Sequence, residues 1–455
     1  MAGLAALAAA WAPQIFNDGD TFMHVAAGER MLAARAVLTT DPFSFTFGGR
    51  PWQTHEWLSE VLMALAFRLG GWSAVALLTA TAFGATAGLL IRHAGRWLAG
   101  PPLAATVVVG LASLAPSLLA RPHMLALPLL EMWCAELVVA RVEGRMPDVR
   151  RLALLMLLWA NVHASFLFGL ALLGACGFDA VIRERGDART LLRWTGLAGV
   201  SALAACLGPH GLDTLLFPLR IMSLAALPHI DEWRAMTPAA QPAFEAALLA
   251  GAFVLIRVRA RFTLLSLGLL LLLVWMALGQ ARHVLLFGVV APLLIAQPLG
   301  EALARPAVAP PRRRPLWARG LGAGALAIIV AAPRLAVPVR IAESPTAPFA
   351  ALRHVPPALR RQPVLNDYAF GGYLILAGGA PYVDSRAEVY GGDFLQAYGR
   401  LAAGDPTQLA AALADRRIRW SLLQPGTPLA AEMDRAPGWR RLYADRFAVV
   451  HVREG

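Results

Sequence analysis

The sequence has no lysine and little charge of any kind. Only 15% of its 455 residues are charged, and all 41 basic residues are arginine, so the formal net charge of +12 reflects a uniform preference for arginine. We therefore do not interpret this charge as the sign of a nucleic-acid partner, and we predict none. In contrast, 58% of the residues are hydrophobic, which is more than a soluble protein can bury. The composition predicts a membrane protein with several spans.

Cysteine is almost absent as well. Cys134, Cys176 and Cys206 all lie inside apolar stretches, so the sequence predicts neither a cysteine metal cluster nor a disulfide framework. There is no P-loop, no G-x-S-x-G and no paired C-x-x-C, and Gly371-Gly372 lacks the glycine spacing of a dinucleotide fingerprint. The enzyme classes that depend on these motifs are not indicated.

Apolar runs that are long enough to cross about 30 Å of hydrocarbon predict eleven spans. The eleventh, 152–163, is short and ends in polar residues. The other ten runs are 1–16, 72–91, 102–120, 124–140, 164–182, 194–208, 243–257, 262–279, 283–298 and 320–338. The first run is also compatible with a signal peptide, although it lacks a basic region at its start.

Arginine placement predicts the orientation, because loops rich in basic residues stay in the cytoplasm. Five loops hold 18 of the 28 arginines that precede residue 341. These loops are 92–101, 141–151, 183–193, 257–261 and 299–319. Eleven crossings then place the N-terminus in the cytoplasm, and they place loop 17–71, loop 209–242 and everything after residue 338 outside. We predict a multi-pass protein of a bacterial cytoplasmic (inner) membrane.

The composition changes after the last predicted span. We therefore predict two domains: a mostly α-helical membrane domain over 1–340, and a small extracytoplasmic α/β domain over 341–455. The predicted strands are Val364-Leu365-Asn366, Tyr382-Val383-Asp384, Trp420-Ser421-Leu422-Leu423 and 447–452, and the predicted helices are 392–402, 406–415 and 428–435. Asp384 and Arg386 follow a strand, where they form either a ligand contact or, as we favour, an internal salt bridge.

Loop 17–71 is unusually rich in ionisable side chains. Asp20 and His24 share one face of a predicted helix, and Asp18 stands where that helix should begin. Asp18 and Asp20 suit two roles between them. One is a base, and the other is a group that orients a metal or a phosphate. The structural alternative is that Asp18 is only a helix N-cap. The same loop also holds His55 and Glu56.

Two segments of this loop are amphipathic, 22–35 and 57–69, and Gly70-Gly71 ends the second. We expect both helices to lie flat at the outer surface of the membrane. The alternative is that they simply plug the helical bundle.

Further candidates lie at the outer ends of spans. Arg121, Arg282 and His283 can meet a phosphate there without the full cost of burying charge at the bilayer centre. Asn161 and His163 interrupt an apolar stretch, so they should face the bundle or a wet cavity. They either contact substrate or form a hydrogen bond between helices.

Together these motifs resemble the C-type glycosyltransferase (GT-C) superfamily, in particular its bacterial polytopic membrane proteins, over nearly the whole chain. The matching stretches are Asp18-Gly19-Asp20, His24, Gly28, Thr40-Asp41-Pro42-Phe43-Ser44, Trp52, His55-Glu56-Trp57-Leu58, Trp159-Ala160-Asn161-Val162-His163, Arg282-His283, Gly371-Gly372-Tyr373-Leu374 and Asp384-Ser385-Arg386.

The resemblance implies a transferase that moves a sugar from a polyprenyl-phosphate donor in the membrane lipid to an acceptor on the outer face. The acceptor is a protein, a lipid or a polysaccharide. An aspartate of the first outer loop acts as base, which maps onto Asp18, with Asp20 as the nearest alternative. The expected donor-phosphate or substrate-binding residues are His24, His55, Glu56, Arg121, His163, Arg282 and His283.

Other interpretations stay open at this point. No cofactor is certain, but Asp18, Asp20 and His24 offer ligands that suit Mg²⁺ or Mn²⁺. A transporter or lipid flippase is also polytopic, although such proteins often show internal repeats that this sequence lacks. A third alternative is a catalytically inactive GT-C-like scaffold of envelope polysaccharide assembly.

Overall fold

The computed structural model describes residues 1–222, 242–303 and 330–454. Most of these residues are helical, and a small sheet lies near the C-terminal end. Most of the predicted span 320–338 and much of loops 209–242 and 299–319 fall outside the described residues. The helices before residue 304 are α1 (Ala2–Ala10), α2 (Gly19–Ala34), α3 (Trp57–Ala94), α4 (Gly100–Leu114), α5 (Pro122–Val142), α6 (Val149–Val162), α7 (Phe166–Arg183), α8 (Ala188–Ala205), α9 (Asp213–Met222), α10 (Pro242–Arg257), α11 (Leu264–Gly279) and α12 (Val284–Ala302).

Among the described residues, four helical segments are long and apolar enough to cross a membrane. They are Trp57–Ala94, Gly100–Ser117, Phe166–Arg183 and Ala281–Ala302. Several other predicted spans are shorter helices, such as α6 with 14 residues and α11 with 16. At about 1.5 Å per residue these helices reach roughly 21–24 Å, less than the hydrocarbon thickness. The number of eleven spans therefore stays a prediction.

The predicted break at Gly70-Gly71 is present in α3. Gly71 has φ +58°, a backbone conformation that residues with a side chain rarely adopt, and Gly70 is also non-helical. The segment before the break contacts α2, and the segment after it is the apolar part of α3. The two glycines therefore let one continuous element change direction between the first loop and the bundle.

A five-stranded mixed sheet organises the tail, which we define as residues 341–454. The tail elements are α13 (Phe349–His354), α14 (Pro357–Arg360), β1 (Pro363–Asn366), α15 (Gly371–Leu376), β2 (Ala380–Pro381), α16 (Ala387–Ala402), α17 (Pro406–Ala414), β3 (Trp420–Leu423), α18 (Pro428–Met433), β4 (Trp439–Ala444) and β5 (Val449–Arg453). The strand order is β2-β1-β3-β5-β4. β1 runs parallel to β2 and β3, and β5 runs antiparallel to β3 and β4.

The predicted tail elements agree with this architecture, with three differences. β2 lies at Ala380–Pro381, just before the predicted strand at 382–384. The short helices α13, α14 and α15 were not predicted. β4 was not predicted either, because its apolar residues do not alternate regularly with polar ones, and it is an edge strand in which most side chains are partly or fully exposed.

The apolar face of α2, which the sequence predicted to lie at the outer surface of the membrane, is covered by protein. All residues from Thr21 to Gly28 are buried, and α2 packs between the first part of α3 and α15 of the tail. Met23, Ala26 and Ala27 belong to the same apolar cluster as Leu365 and Val383 of the tail. An amphipathic sequence does not tell whether its apolar face meets lipid or protein, and here it meets protein.

Two glycines allow the tail to approach the start of α2. A Cβ atom on Gly372 would lie 2.1 Å from the carbonyl oxygen of Gly19, and one on Gly19 would lie 2.7 Å from the carbonyl oxygen of Ala369. No side chain fits between these backbones. Because the first loop and the tail share one core, the domain boundary at residues 340 and 341 stays a prediction.

Arg386 joins the first loop to the tail through a fully buried guanidinium. Its Nε and Nη2 atoms donate to Asp384 at 2.7 and 2.6 Å, and its Nη1 donates to Asp41 at 2.7 Å. The guanidinium carbon also lies 4.5 Å from the ring centre of Trp52 and 5.2 Å from that of Phe43. The favoured salt bridge is therefore present, and it extends to a partner in the first loop.

The ionisation of Asp384 follows from its contact with Arg386. Burial alone raises the pKa of the Asp384 carboxyl, but the nearby Arg386 outweighs this effect and holds that pKa below its ordinary value. The carboxylate therefore stays ionised at neutral pH and keeps its pair with Arg386.

Replacing Arg386 with alanine should destabilise the protein by about 3–5 kcal/mol, because Asp41 and Asp384 would stay buried without a counter-charge. Thermal unfolding of the purified full-length chain measures this effect. Arg417→Ala is the matched control, since its pair with Asp415 is exposed and should contribute little to stability. Equal unfolding temperatures for the two variants would contradict the assignment.

Gly372→Ala should push α15 away from α2 and lower the unfolding temperature, because the new methyl group would collide with the Gly19 backbone. The control is Gly399→Ala in α16, where a Cβ atom meets nothing within 4 Å. There alanine should stabilise the helix by up to about 1 kcal/mol. A neutral Gly372→Ala would show that the two backbones are not in close contact.

Candidate functional site

Two carboxylates at the start of α2 share one arginine. Asp18 caps the helix, since its Oδ1 accepts a hydrogen bond from the Asp20 backbone N–H at 2.8 Å. Its Oδ2 lies 3.1 Å from Nη1 of Arg121, and Oδ2 of Asp20 lies 2.6 Å from Nη2 of the same guanidinium. Arg121 directly precedes α5, so the pair ties the first loop to the bundle. Asp18 is therefore a helix N-cap, as the structural alternative predicted, and its side chain also contacts Arg121.

This arrangement does not fit the predicted metal ligands Asp18, Asp20 and His24. In the described parts of the chain, no group of three or more His, Cys, Asp or Glu side chains is placed to hold a metal ion. The Arg121 guanidinium lies between the two carboxylates, and Nδ1 of His24 faces Glu60. A metal bound by this set would require these side chains to leave their present partners.

Three histidines surround the carboxylate of Glu56. Nε2 of His163 lies 3.4 Å from its Oε1, Nε2 of His55 lies 3.7 Å from the same oxygen, and Nε2 of His24 lies 3.8 Å from Oε2. Glu56 stands at the N-cap of α3, yet its side chain makes no capping hydrogen bond. We call these four side chains the Glu56 cluster.

Two hydrogen bonds hold the Glu56 cluster together by joining α3 to α6. The indole Nε1 of Trp57 donates to Oδ1 of Asn161 at 2.7 Å, and the Ser59 hydroxyl donates to the Val162 carbonyl at 2.8 Å. These bonds place Glu56 beside His163, which directly follows α6. Asn161 therefore forms the hydrogen bond between helices that was one of its two predicted roles.

His24 connects the cluster to a deeply buried carboxylate. Its Nδ1 lies 3.1 Å from Oε1 of Glu60, and both side chains are almost fully buried. Burial lowers the pKa of His24 to about 4, although Glu56 acts in the opposite direction. The imidazole is therefore neutral at pH 7. The charges of Asp18 and Arg121 also act on it, so the Asp18 pair and the Glu56 cluster are neighbours.

The remaining predicted residues divide into two groups. Arg282 lies in a short turn before α12, close enough for its charge to act on His163. His283 turns away from the cluster, and its Nδ1 lies 3.2 Å from the Met276 carbonyl of α11. Of the predicted set, therefore, all members except His283 meet at one end of the helical bundle.

Loop 209–242 contributes to the same region in its described part. Nε2 of His210 lies 3.1 Å from the Thr54 carbonyl, and the ring of Phe217 lies 4.6 Å from the ring of His55. Sequence analysis missed Ser165, whose backbone N–H donates to Nδ1 of His163, because a lone serine carries no pattern.

The comparisons with known proteins concern the fold. No protein-family model matches the chain, and no curated protein matches it. Among solved structures it is similar to the apo oligosaccharyltransferase of Archaeoglobus fulgidus, with a TM-score of 0.57, 12% identity, and coverage of 92% of this chain and 68% of that one.

Two further structures are similar. The archaeal oligosaccharyltransferase AglB from Archaeoglobus fulgidus, in complex with an inhibitory peptide and a dolichol-phosphate, gives a TM-score of 0.54 at 10% identity, covering 93% of this chain and 68% of that one. The Archaeoglobus fulgidus oligosaccharyltransferase complex with Zn and sulfate gives 0.52 at 10% identity, with 100% and 72% coverage. The resemblance predicted from the motifs is thus confirmed at the level of the fold: the chain is similar in fold to these archaeal oligosaccharyltransferases.

Proposed function

We propose that the chain is a glycosyltransferase that moves a sugar from a polyprenyl-phosphate donor to an acceptor at the outer face of a bacterial inner membrane. Three findings support this reaction class: the fold, the dolichol-phosphate that AglB holds in its complex, and the charges at one end of the bundle. A fold hosts many functions, so the site carries the argument.

The observation that carries the proposal is the meeting of carboxylates and arginines in one place. Glycosyl transfer from a lipid phosphate needs a base for the acceptor and positive groups for the leaving phosphate. Asp18, Asp20 and Glu56 supply carboxylates within the same region as Arg121 and Arg282. A guanidinium suits a phosphate because its donors match the phosphate oxygens in pairs.

The resemblance implies Asp18 as the base, with Asp20 as the nearest alternative, and this is the first assignment to test. Each oxygen of Asp18 accepts one described hydrogen bond and has a second lone pair, so it is able to accept a bond from an acceptor hydroxyl. Asp18 also contacts Arg121, to which we assign phosphate binding. A substitution of Asp18 therefore changes both the helix cap and the charge beside Arg121.

The reaction class can be tested with purified protein in lipid nanodiscs and a panel of polyprenyl-phosphate hexoses. We expect release of free polyprenyl phosphate, and Arg282→Gln should reduce the release at least about tenfold by weakening phosphate stabilisation. Arg220→Gln, which removes an exposed arginine paired with Asp213, is the control. Movement of intact donor across the bilayer without release would indicate a flippase instead, and donor binding without either would indicate a scaffold.

Asp18→Asn and Asp18→Ala separate the two roles of Asp18. Asparagine is a good N-cap, whereas alanine should cost about 0.5–2 kcal/mol of stability. We expect both variants to lose activity at least about 100-fold. Both lose the charge that faces Arg121, and only alanine also loses the helix cap, so the unfolding temperature should fall further for alanine than for asparagine. Full activity of Asp18→Asn would show that the charge at this position is not needed.

A further inference from the structure

The Glu56 cluster holds a carboxylate with no evident structural task. Glu56 begins α3 without capping it, and the three imidazole nitrogens around it lie at 3.4–3.8 Å. Within the described parts of the chain, these three nitrogens are its only ion-pair partners. By comparison, Asp18 and Asp20 are bound closely by Arg121, which contacts one oxygen of each carboxylate. The guanidinium therefore competes with an acceptor molecule for these two oxygens.

The proton position of His163 follows from its hydrogen bond to Ser165. Nδ1 of His163 accepts from the Ser165 backbone N–H at 3.1 Å, so the proton of the neutral ring is on Nε2, which faces Oε1 of Glu56. This orientation aligns His163 as a donor to the carboxylate or to a group bound beside it. It also leaves Nε2 of His163 without the lone pair that a metal ligand requires.

His24 also faces Glu56 through a ring nitrogen. Its Nδ1 lies 3.1 Å from Oε1 of Glu60, and its Nε2 lies 3.8 Å from Oε2 of Glu56. The second distance is longer than a hydrogen bond, so this oxygen of Glu56 keeps a lone pair for the hydroxyl or amide N–H of an acceptor molecule. The side chain of Glu56 is 13% exposed.

We infer that Glu56, rather than Asp18, takes the proton of the acceptor's nucleophilic group, while Asp18 and Asp20 hold Arg121 in place for the donor phosphate. This inference rests on the proposed function. In the reaction, the bond from the anomeric carbon to the phosphate oxygen breaks, and its electron pair goes to the departing polyprenyl phosphate. The acceptor atom forms the new bond to that carbon and gives its proton to Glu56. The acceptor class is a neutral nucleophile that carries a proton.

Azide separates the two assignments, because it is a nucleophile with no proton to remove. The assay uses the full-length protein in nanodiscs with polyprenyl-phosphate hexoses, and it measures polyprenyl phosphate release with water or with azide as the acceptor. We expect Glu56→Gln to lose about 100- to 10,000-fold with water. With azide it should return to within about tenfold of the wild type, whereas Asp18→Asn should stay slow with both acceptors.

Three controls make the result decisive. Glu29→Gln makes the same chemical change at a partly exposed carboxylate that pairs with Arg68, and it should behave as wild type. Unfolding temperatures and the binding of polyprenyl phosphate should be the same in Glu56→Gln and wild type. Glu56→Asp should retain more activity with water than Glu56→Gln.

Two outcomes would overturn the inference while the proposed function stands. The first is that Glu56→Gln keeps more than about a tenth of the wild-type rate with water. The second is that azide restores Asp18→Asn and leaves Glu56→Gln slow, which would return the role of base to Asp18. No release by the wild type with any donor in the panel would overturn the proposed function itself, and the role of Glu56 with it.

Discussion

A buried guanidinium connects the first loop of this chain to its tail. Arg386 lies between Asp41 of the first loop and Asp384 of the tail, and the rings of Phe43 and Trp52 cover its faces. A buried charge is tolerated only when its partners are complete. The first loop therefore has to be folded for the tail to be stable, and the tail has to be folded for the first loop to keep its shape. Because α2 packs against the tail, the placement of Asp18 and His24 depends on this contact.

The site itself uses charge in two different ways. At the start of α2, opposite charges are in direct contact, so that Arg121 is held by two carboxylates. Around Glu56, imidazole nitrogens stand slightly farther away, at 3.4–3.8 Å. In the reaction that we propose, the first arrangement orients a cation for the departing phosphate, and the second supplies a base for the acceptor.

The elements that could be predicted from sequence are those that are determined by residues close together in the chain. Asp18 begins a helix because its side chain caps one, and Gly70-Gly71 breaks α3 because glycine adopts a conformation that other residues avoid. Strands β1 and β3 were found because their side chains are buried in continuous runs. The density of ionisable residues in loop 17–71 correctly indicated where charged groups meet.

What could not be predicted depends on contacts between distant residues. Asp41 and Arg386 are 345 positions apart, and no periodic pattern links them. The apolar face of α2 has the same pattern whether it covers lipid or the tail, and the apolar residues of β4 show no regular alternation. The contact between Gly19 and Gly372 has a consequence for inheritance. Backbones that touch without side chains tolerate no substitution on either partner, so a chimera between related proteins should work only if the first loop and the tail come from the same parent.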